Sequence, residues 1–398
     1  MLLMVRLAQA VAGDARVTPV PAAAWAMVEE EARGQTVYFN AWAGDEAINR
    51  YVAWATQEIK ARHGVILQHV QLADTAEAVN RVLAEKAAGR TRDGSVDLIW
   101  INGENFASLR QAGLLWGPWV AVLPNAPLLD THGNPTTAID MTLPTAGYEL
   151  AWGSAGFTLF YDSQVVSVPP RDPAGLLAWI RAHPGRFTYP QPPNFLGVSF
   201  LKQLLLLLSP ESARARFAAP LGADFDALTE PLWAWLDSAH PRMWRSGRIF
   251  PASGPAQRRL LGDGEVDFAM AFNPAEASRA ISRGELPGSI RGVFFSGGTL
   301  TNSHFLAIPF NARAKAGAMV VANFLISPEA QARKADERIW GDPTVLAVSA
   351  LAPGGVARFA ALRRGPATPE SVGRVFTEPH PSWIRALETA WNRRYGVR

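Results

Sequence analysis

Apolar and polar positions along the first third of the chain switch repeatedly between two periods. Residues 37–39 form a short apolar run, and Ile48, Tyr51, Val52, Ala55 and Ile59 follow at helical spacing with Gly64 behind them. The pattern predicts a strand feeding an amphipathic helix. Residues 65–72 predict a second strand. Asp74 and Glu77 then stand at capping-box spacing ahead of a helix whose buried stripe is Val79, Val82 and Leu83. Residues 96–101 predict a third strand, in which alternation places Trp100 in the core, and the stretch from Asn102 to Phe106 leads into a helix that closes near Gly113. Such strand–helix alternation predicts right-handed crossovers and a parallel sheet covered on both faces.

A Pro/Gly-rich passage, 117–147, reads as a loop excursion, and 148–166 as extended chain crossing into a second domain. There the α/β habit repeats. A helix at 173–183 precedes a strand at 186–190, helices begin near Asn194, Asp224 and Gly254, and a strand at 266–271 is followed by a helix from Pro274. Residues 292–310 read as the return crossing. Ser327, Pro328 and Glu329 start a late helix as cap, first-turn proline and early acid. Trp383, Leu387 and Trp391 share one face of a C-terminal helix.

Composition narrows the classes. At 398 residues two domains are expected, and 48% apolar against 18% charged residues supply ample core. A net charge of +3 without a Lys/Arg block gives no nucleic-acid partner. The absence of cysteine removes thiol nucleophiles, disulfides and Cys-based metal sites, and suits an oxidising compartment. Near the N-terminus, Ala8 and Ala10 flank Gln9 in an A-x-A-like cleavage pattern. The apolar stretch before them is short and broken by Arg6, as in a truncated secretory signal. No run reaches the ~18 apolar residues of a membrane span.

No nucleophile elbow, H-E-x-x-H, P-loop or dinucleotide fingerprint is present, and the seven histidines never pair at ligand spacing. Neither catalytic residues, a cofactor nor a metal is therefore expected. A two-domain α/β hydrolase acting on a carbohydrate stays open as the alternative, because its paired carboxylates carry no motif.

Three passages together resemble the solute-binding proteins of ABC importers, in the branch with thiamine-, polyamine- and iron-binding members. They are SVDLIWINGENFASLRQAGLL from Ser95, RRLLGDGEVDFAMAFN from Arg258, and SHFLAIPFNARAKAGAMVVANFLISPEAQ from Ser303. The resemblance implies a two-lobe α/β clamp, each lobe a mainly parallel sheet flanked by helices and joined by a hinge. Lobe 1 would span 35–150 with a return segment at about 296–345, and lobe 2 151–295. The C-terminal helices of 346–398 would pack on lobe 2 or the hinge, with 1–34 a signal remnant or extension. A monomer outside the cytoplasmic membrane, in the periplasm or beyond, would hand a small molecule to a membrane permease.

By the same resemblance the ligand lies in an interlobe cleft at the carboxyl ends of the strands. In lobe 1 the expected contacts are Asn40, Trp42 and Asp45 in the first strand-to-helix turn, and Asn102, Gly103, Glu104 and Asn105 in the third. Trp152 and Gly153 stand at the crossing. In lobe 2 they are Tyr189, Ser253 and Gly254 at a helix start, Phe272 and Asn273 after a strand, and Ser296 and Gly297 near the return. Aromatic faces beside carboxylates favour an organic cation such as thiamine or a polyamine, while helix N-termini leave an anion open and tryptophan faces a sugar. Six tyrosines argue against a ferric site.

Overall fold

The computed structural model describes residues 22–370 and 373–396, so the expected secretory signal lies outside the described residues. The chain forms two compact units, lobe 1 ending at Ser154 and resuming over 303–362, lobe 2 taking 155–302 and the chain from 363.

In lobe 1, helix α1 (Ala22–Ala32) precedes β1 (Thr36–Trp42), α2 (Glu46–His63), β2 (Ile66–Leu72), α3 (Ala76–Ala87), β3 (Leu98–Ile101) and α4 (Glu104–Gln111). As the alternation predicts, β1 pairs in parallel with both β2 and β3. The Pro/Gly-rich passage is a run of 3-10 turns and a two-residue hairpin. The chain then leaves through β4 (Glu149–Gly156).

Lobe 2 contains β5 (Thr158–Asp162), α5 (Pro173–Ala182), α6 (Phe195–Leu208), α7 (Phe225–Ala239), α8 (Gly254–Gly262), β6 (Phe268–Ala271), α9 (Glu276–Ser282) and β7 (Ile290–Val293). The return strand β8 (Thr299–Ala307) leads back to lobe 1 and to α10 (Lys315–Leu325), α11 (Pro328–Ala335) and α12 (Pro353–Ala360). Last, β9 (Val375–Phe376) pairs with the start of β8, and α13 (Pro381–Tyr395) packs on α6.

The lobe borders differ from those expected. The first falls at Ser154 and the return at Ser303, each inside an unbroken strand, so no turn signal marks either. Residues 346–362 belong to lobe 1, where Leu351 joins the core and α12 packs against α11.

The sheet of lobe 2 also departs from the parallel expectation. Its β5 runs antiparallel to β6 on one side and to β7 on the other. Strands β6 and β7 thus share a direction, opposed by the strand that brings the chain in. The return strand β8 does the same in lobe 1, lying antiparallel to β3. The strand expected at 186–190 does not form. Its carbonyls accept from three separate places: Arg186 from the Asp267 N–H, Phe187 from the Trp244 N–H, and Thr188 from the Gln257 side chain. Leu83 is exposed, whereas Val79 and Val82 are buried as expected.

Alternation sorts the side chains onto the two faces of each sheet. In lobe 1, Leu98 and Leu306 join the core under α1, α2 and α10, while Ile99, Ile101, Phe305 and Ala307 join the one under α3 and α4. In lobe 2, Leu159, Phe268 and Met270 face one core and Phe160, Ala269 and Ala271 the other. The indole rings of Trp383 and Trp391 and the side chain of Leu387 are buried in the former, so the C-terminal helix docks through the predicted face.

Lys202 and Glu378 form a buried ion pair in lobe 2. Lys202 Nζ lies 2.6 Å from Glu378 Oε2, with both side chains almost wholly excluded from solvent. Glu378 also accepts from Asn302 Nδ2 at 3.3 Å. Removing one partner leaves the other charge buried alone, which costs about 3–5 kcal/mol. Glu378→Ala is therefore expected to lower unfolding free energy by about that much in denaturant titration. A loss below about 1 kcal/mol would mean that water reaches the lysine.

Candidate functional site

In lobe 1 the parallel register of β1, β2 and β3 makes all three following helices begin along one edge of the sheet. The β1 turn starts at Trp42, which ends the strand and keeps 39% of its surface exposed. Gly44 lies beneath the indole: a Cβ there would run into the Trp42 ring. The glycine is what lets the large ring fold across a tight strand-to-helix junction. Asp45 caps α2, its Oδ1 accepting from the Ala47 N–H at 2.7 Å. Asn40, by contrast, is fully buried and committed to the fold, donating to the Tyr38 carbonyl and receiving Arg81 at 3.4 Å. It does not reach the surface expected of it.

The β3 turn is built around Gly103, at φ +61°, whose N–H donates to Asp140 Oδ2. A side chain there would meet Met141 as well as strain the backbone. Glu104 is exposed at the first position of α4, and Asn102 and Asn105 are half-buried beside it. Between these turns, Asp74 and Glu77 start α3. Glu77 Oε1 accepts from the Ala73 and Asp74 N–H groups at 3.0 Å, the reach-back half of the expected capping box, and Asp74 Oδ1 accepts from Ala76. Asp45, Glu46, Asp74, Glu77 and Glu104 thus line the carboxyl edge of the sheet, and the turns 42–46, 72–77 and 101–105 contain no Lys or Arg.

Trp152 lies in the core of lobe 1 with no exposed surface, not at a ligand face. It packs edge-on to Trp100 at 4.9 Å between ring centroids and against Trp340 at 5.6 Å. Trp100, expected to be core, is only partly buried against the same cluster. Gly153 has a structural reason of its own, since a Cβ would collide with the His304 ring and the Asp342 carboxylate. His304 Nε2 is 3.1 Å from Asp342 Oδ2, which also receives the buried Lys334 ammonium. Burial alone would raise the Asp342 pKa, yet His304 and Lys334 together hold it below the ordinary carboxylate value.

In lobe 2, Tyr189 is likewise core. Its hydroxyl accepts from Trp391 Nε1 at 2.7 Å and pairs with His240 Nε2 at 2.8 Å. Burial lowers the His240 pKa to about 4, so the ring is neutral and its Nε2 accepts the hydrogen bond that the tyrosine hydroxyl donates. Ser253 caps α8 through its hydroxyl, and Gly254 is buried against Leu196 of α6, where a Cβ would come within 2.5 Å of Cδ1. Phe272 is almost buried, and Asn273 Oδ1 accepts from the Ala275 N–H at 2.9 Å. Ser296 holds the Arg171 carbonyl with both its N–H and its hydroxyl, while Gly297 lies exposed above Leu207.

The starts of α6 and α8 and the end of β6 therefore come together, through Gly254 against Leu196 and Phe272 against Phe195. Phe195 is absent from the expected set. Its ring meets Phe272 edge-on at 5.0 Å and is 52% exposed. The available signal was an aromatic directly after the capping Asn194, outside the apolar stripe of α6.

A groove of about 560 Å³ on lobe 1, lined by Arg62, His63, Phe324, Ser327 and Arg358 among others, contains none of the expected site residues. It lies at the C-terminal end of α2, the opposite end of that helix from Asp45. Among the described residues no three His, Asp or Glu side chains gather as a metal site, and no helix is long and apolar enough to cross a membrane.

Residues 54–361 match the family described as bacterial extracellular solute-binding protein. Protein YnjB of Escherichia coli (strain K12) is 45% identical over 373 residues, 94% of either chain. The spermidine/putrescine ABC transporter substrate-binding protein PotD of Streptococcus pneumoniae superposes with a TM-score of 0.62 at 12% identity, covering 91% of this chain and all of that one. A Bordetella ferric binding protein gives 0.58 at 16%, covering 89% and 96%. At such identities the two structures speak to the fold, which is that of the periplasmic binding proteins.

Below the β3 turn, Glu149 is 2% exposed and neither carboxylate oxygen has a hydrogen-bond partner. Burial, with Asp140 adding to it, raises its pKa well above the usual value. The unfolded chain releases this proton near pH ~4.3 and the folded chain only much higher, so stability is lost as pH rises through that window. Glu149→Gln is expected to melt above the native protein at about pH 8, with the gap closing near pH 4. Equal gaps at both would show that Glu149 is ionised in the fold.

Proposed function

Because the chain belongs to the bacterial extracellular solute-binding proteins, we propose that it captures a small organic cation, such as thiamine or a polyamine, for the permease of an ABC importer. Proteins of this family bind solutes and do not transform them, so the carbohydrate-hydrolase alternative has no support. The family places the protein outside the cytoplasmic membrane, and we propose that it acts there as a monomer.

The observation that carries the ligand class is the acidic edge of lobe 1. Helix N-termini ordinarily favour anions through their exposed N–H groups and dipole. Here the three that follow the parallel strands open with Asp45 and Glu46, with Asp74 and Glu77, and with Glu104. Asp45, Asp74 and Glu77 also occupy local N–H donors that an anion would use. Glu46 pairs with Arg50 one turn into α2 at 3.2 Å; the three turns themselves hold five carboxylates and no Lys or Arg, a net negative charge that repels an anion and attracts a cation. Trp42 adds an exposed indole face, which binds a cation through its quadrupole. The proposed lobe 1 contacts are accordingly Trp42, Asn102, Glu104 and Asn105, with Asp45 and Gly103 shaping the turns; Asn40 and Trp152 drop out because they are buried.

The test is a thermal-shift panel on the native protein with thiamine, spermidine, phosphate and glucose. A cation at a hundred times its dissociation constant adds about 2.7 kcal/mol and a readable rise in melting temperature. A shift with phosphate or glucose and with neither cation would overturn the ligand class. Trp42→Ala is expected to weaken the cation that binds by roughly 3- to 30-fold, the range of a cation–π contact, with the unliganded melting temperature unchanged. Unaltered affinity would remove Trp42 from the site.

A further inference from the structure

The first side chain of α6 has a placement that packing does not explain. Burying a phenylalanine is worth about 1.5–3 kcal/mol, and α6 buries ten consecutive residues from Gly197 to Leu206. Phe195 nevertheless stands half in solvent. A lone exposed aromatic is ordinary; this one is held in place. One edge meets Phe272, and Lys202 Nζ lies 5.6 Å from the ring centroid. That lysine is itself fixed by buried Glu378. Asn194 caps the helix directly beneath, accepting from the Leu196 N–H at 3.0 Å.

Apart from the Lys202–Glu378 pair, the chain around the ring is neutral. The segments that converge on it, 190–197, 250–256 and 272–275, contain no charged side chain. Of their four polar side chains, Asn194, Ser253 and Asn273 cap their own turns, and Gln191 is the fourth. The cation near the ring draws its π electrons toward Lys202, which makes the exposed surface a poor seat for a second cation and a good one for a flat, uncharged ring. This contrasts with the acidic edge of lobe 1.

We propose that Phe195 is the stacking platform of lobe 2 and that it takes an uncharged planar ring of the solute. The inference rests on the organic-cation reading and sharpens it. It favours a solute that carries an uncharged aromatic ring as well as a charged centre, whereas a linear polyamine has no ring for the platform.

The experiment is calorimetric titration of the native protein, Phe195→Ala and Phe195→Trp with thiamine and with spermidine, alongside the melting temperature of each unliganded protein. The expected result is thiamine binding that falls about tenfold or more in Phe195→Ala and is kept in Phe195→Trp, with melting temperatures unchanged. Thiamine binding that is indifferent to the alanine change overturns the platform while leaving the cation reading intact. Binding of spermidine without thiamine does the same. Failure of both probes, with an anion or sugar bound instead, overturns both readings.

Discussion

Parallel pairing of β1 with β2 and β3 is the constraint on which the proposed lobe 1 site depends. Strands that run the same way must each be followed by a chain that turns back over the sheet, so each hands over to its helix at the same edge. Trp42, Asp74 and Glu104 lie far apart in sequence, yet register alone gathers their turns. What the turns contain is then free to vary without disturbing the core. Here they contain carboxylates that serve as helix caps or first-turn residues. The same groups stabilise α2, α3 and α4 and set the sign of the potential along the edge.

The two strands that carry the chain between lobes pose a different problem, because they bring polar groups into each interior. In lobe 1, β8 brings His304 beside Asp342 and Lys334, and the bare Cα of Gly153 on β4 leaves room for that pairing. In lobe 2, Lys202 and Glu378 satisfy each other near Asn302, the last residue before the return. A buried charge is tolerated only with a partner and hydrogen bonds around it. Both clusters meet that condition, whereas Glu149 has no such partner and avoids a buried charge by keeping its proton.

Much of this was legible from periodicity. The three parallel strands, their helices and the docking face of α13 follow from apolar spacing, since a strand or helix that hides one face must repeat with its own period. The missing strand at 186–190 shows the limit: Phe187 and Tyr189 have strand-like alternation, yet no neighbour offers a ladder, and their segment is held by three unrelated donors. Trp152 and Tyr189 fail as surface residues for a related reason. A large aromatic in an extended stretch reads the same whether it faces solvent or core, because shifting one position reverses the face. Only long-range partners decide, here Trp100 and Trp340 for one, His240 and Trp391 for the other. Phe195 escaped in the opposite direction: beside a helix that is apolar nearly all round, one more apolar residue carries no mark of exposure.

The fourteen tryptophans of the chain acquire their meaning from that sorting. Trp119, Trp152, Trp383 and Trp391 are fully buried, and large aromatic side chains fix a core with few rotatable bonds for the area they cover. A lobe made stiff in this way can hold an exposed ring still. Trp42 lies over a glycine, and Phe195 lies between Phe272 and a lysine that its own ion pair immobilises. A ring already fixed loses little further freedom when a solute stacks on it, so more of the contact energy appears as affinity. Burial of the core aromatics is thus what holds the exposed rings still for the contacts proposed of them.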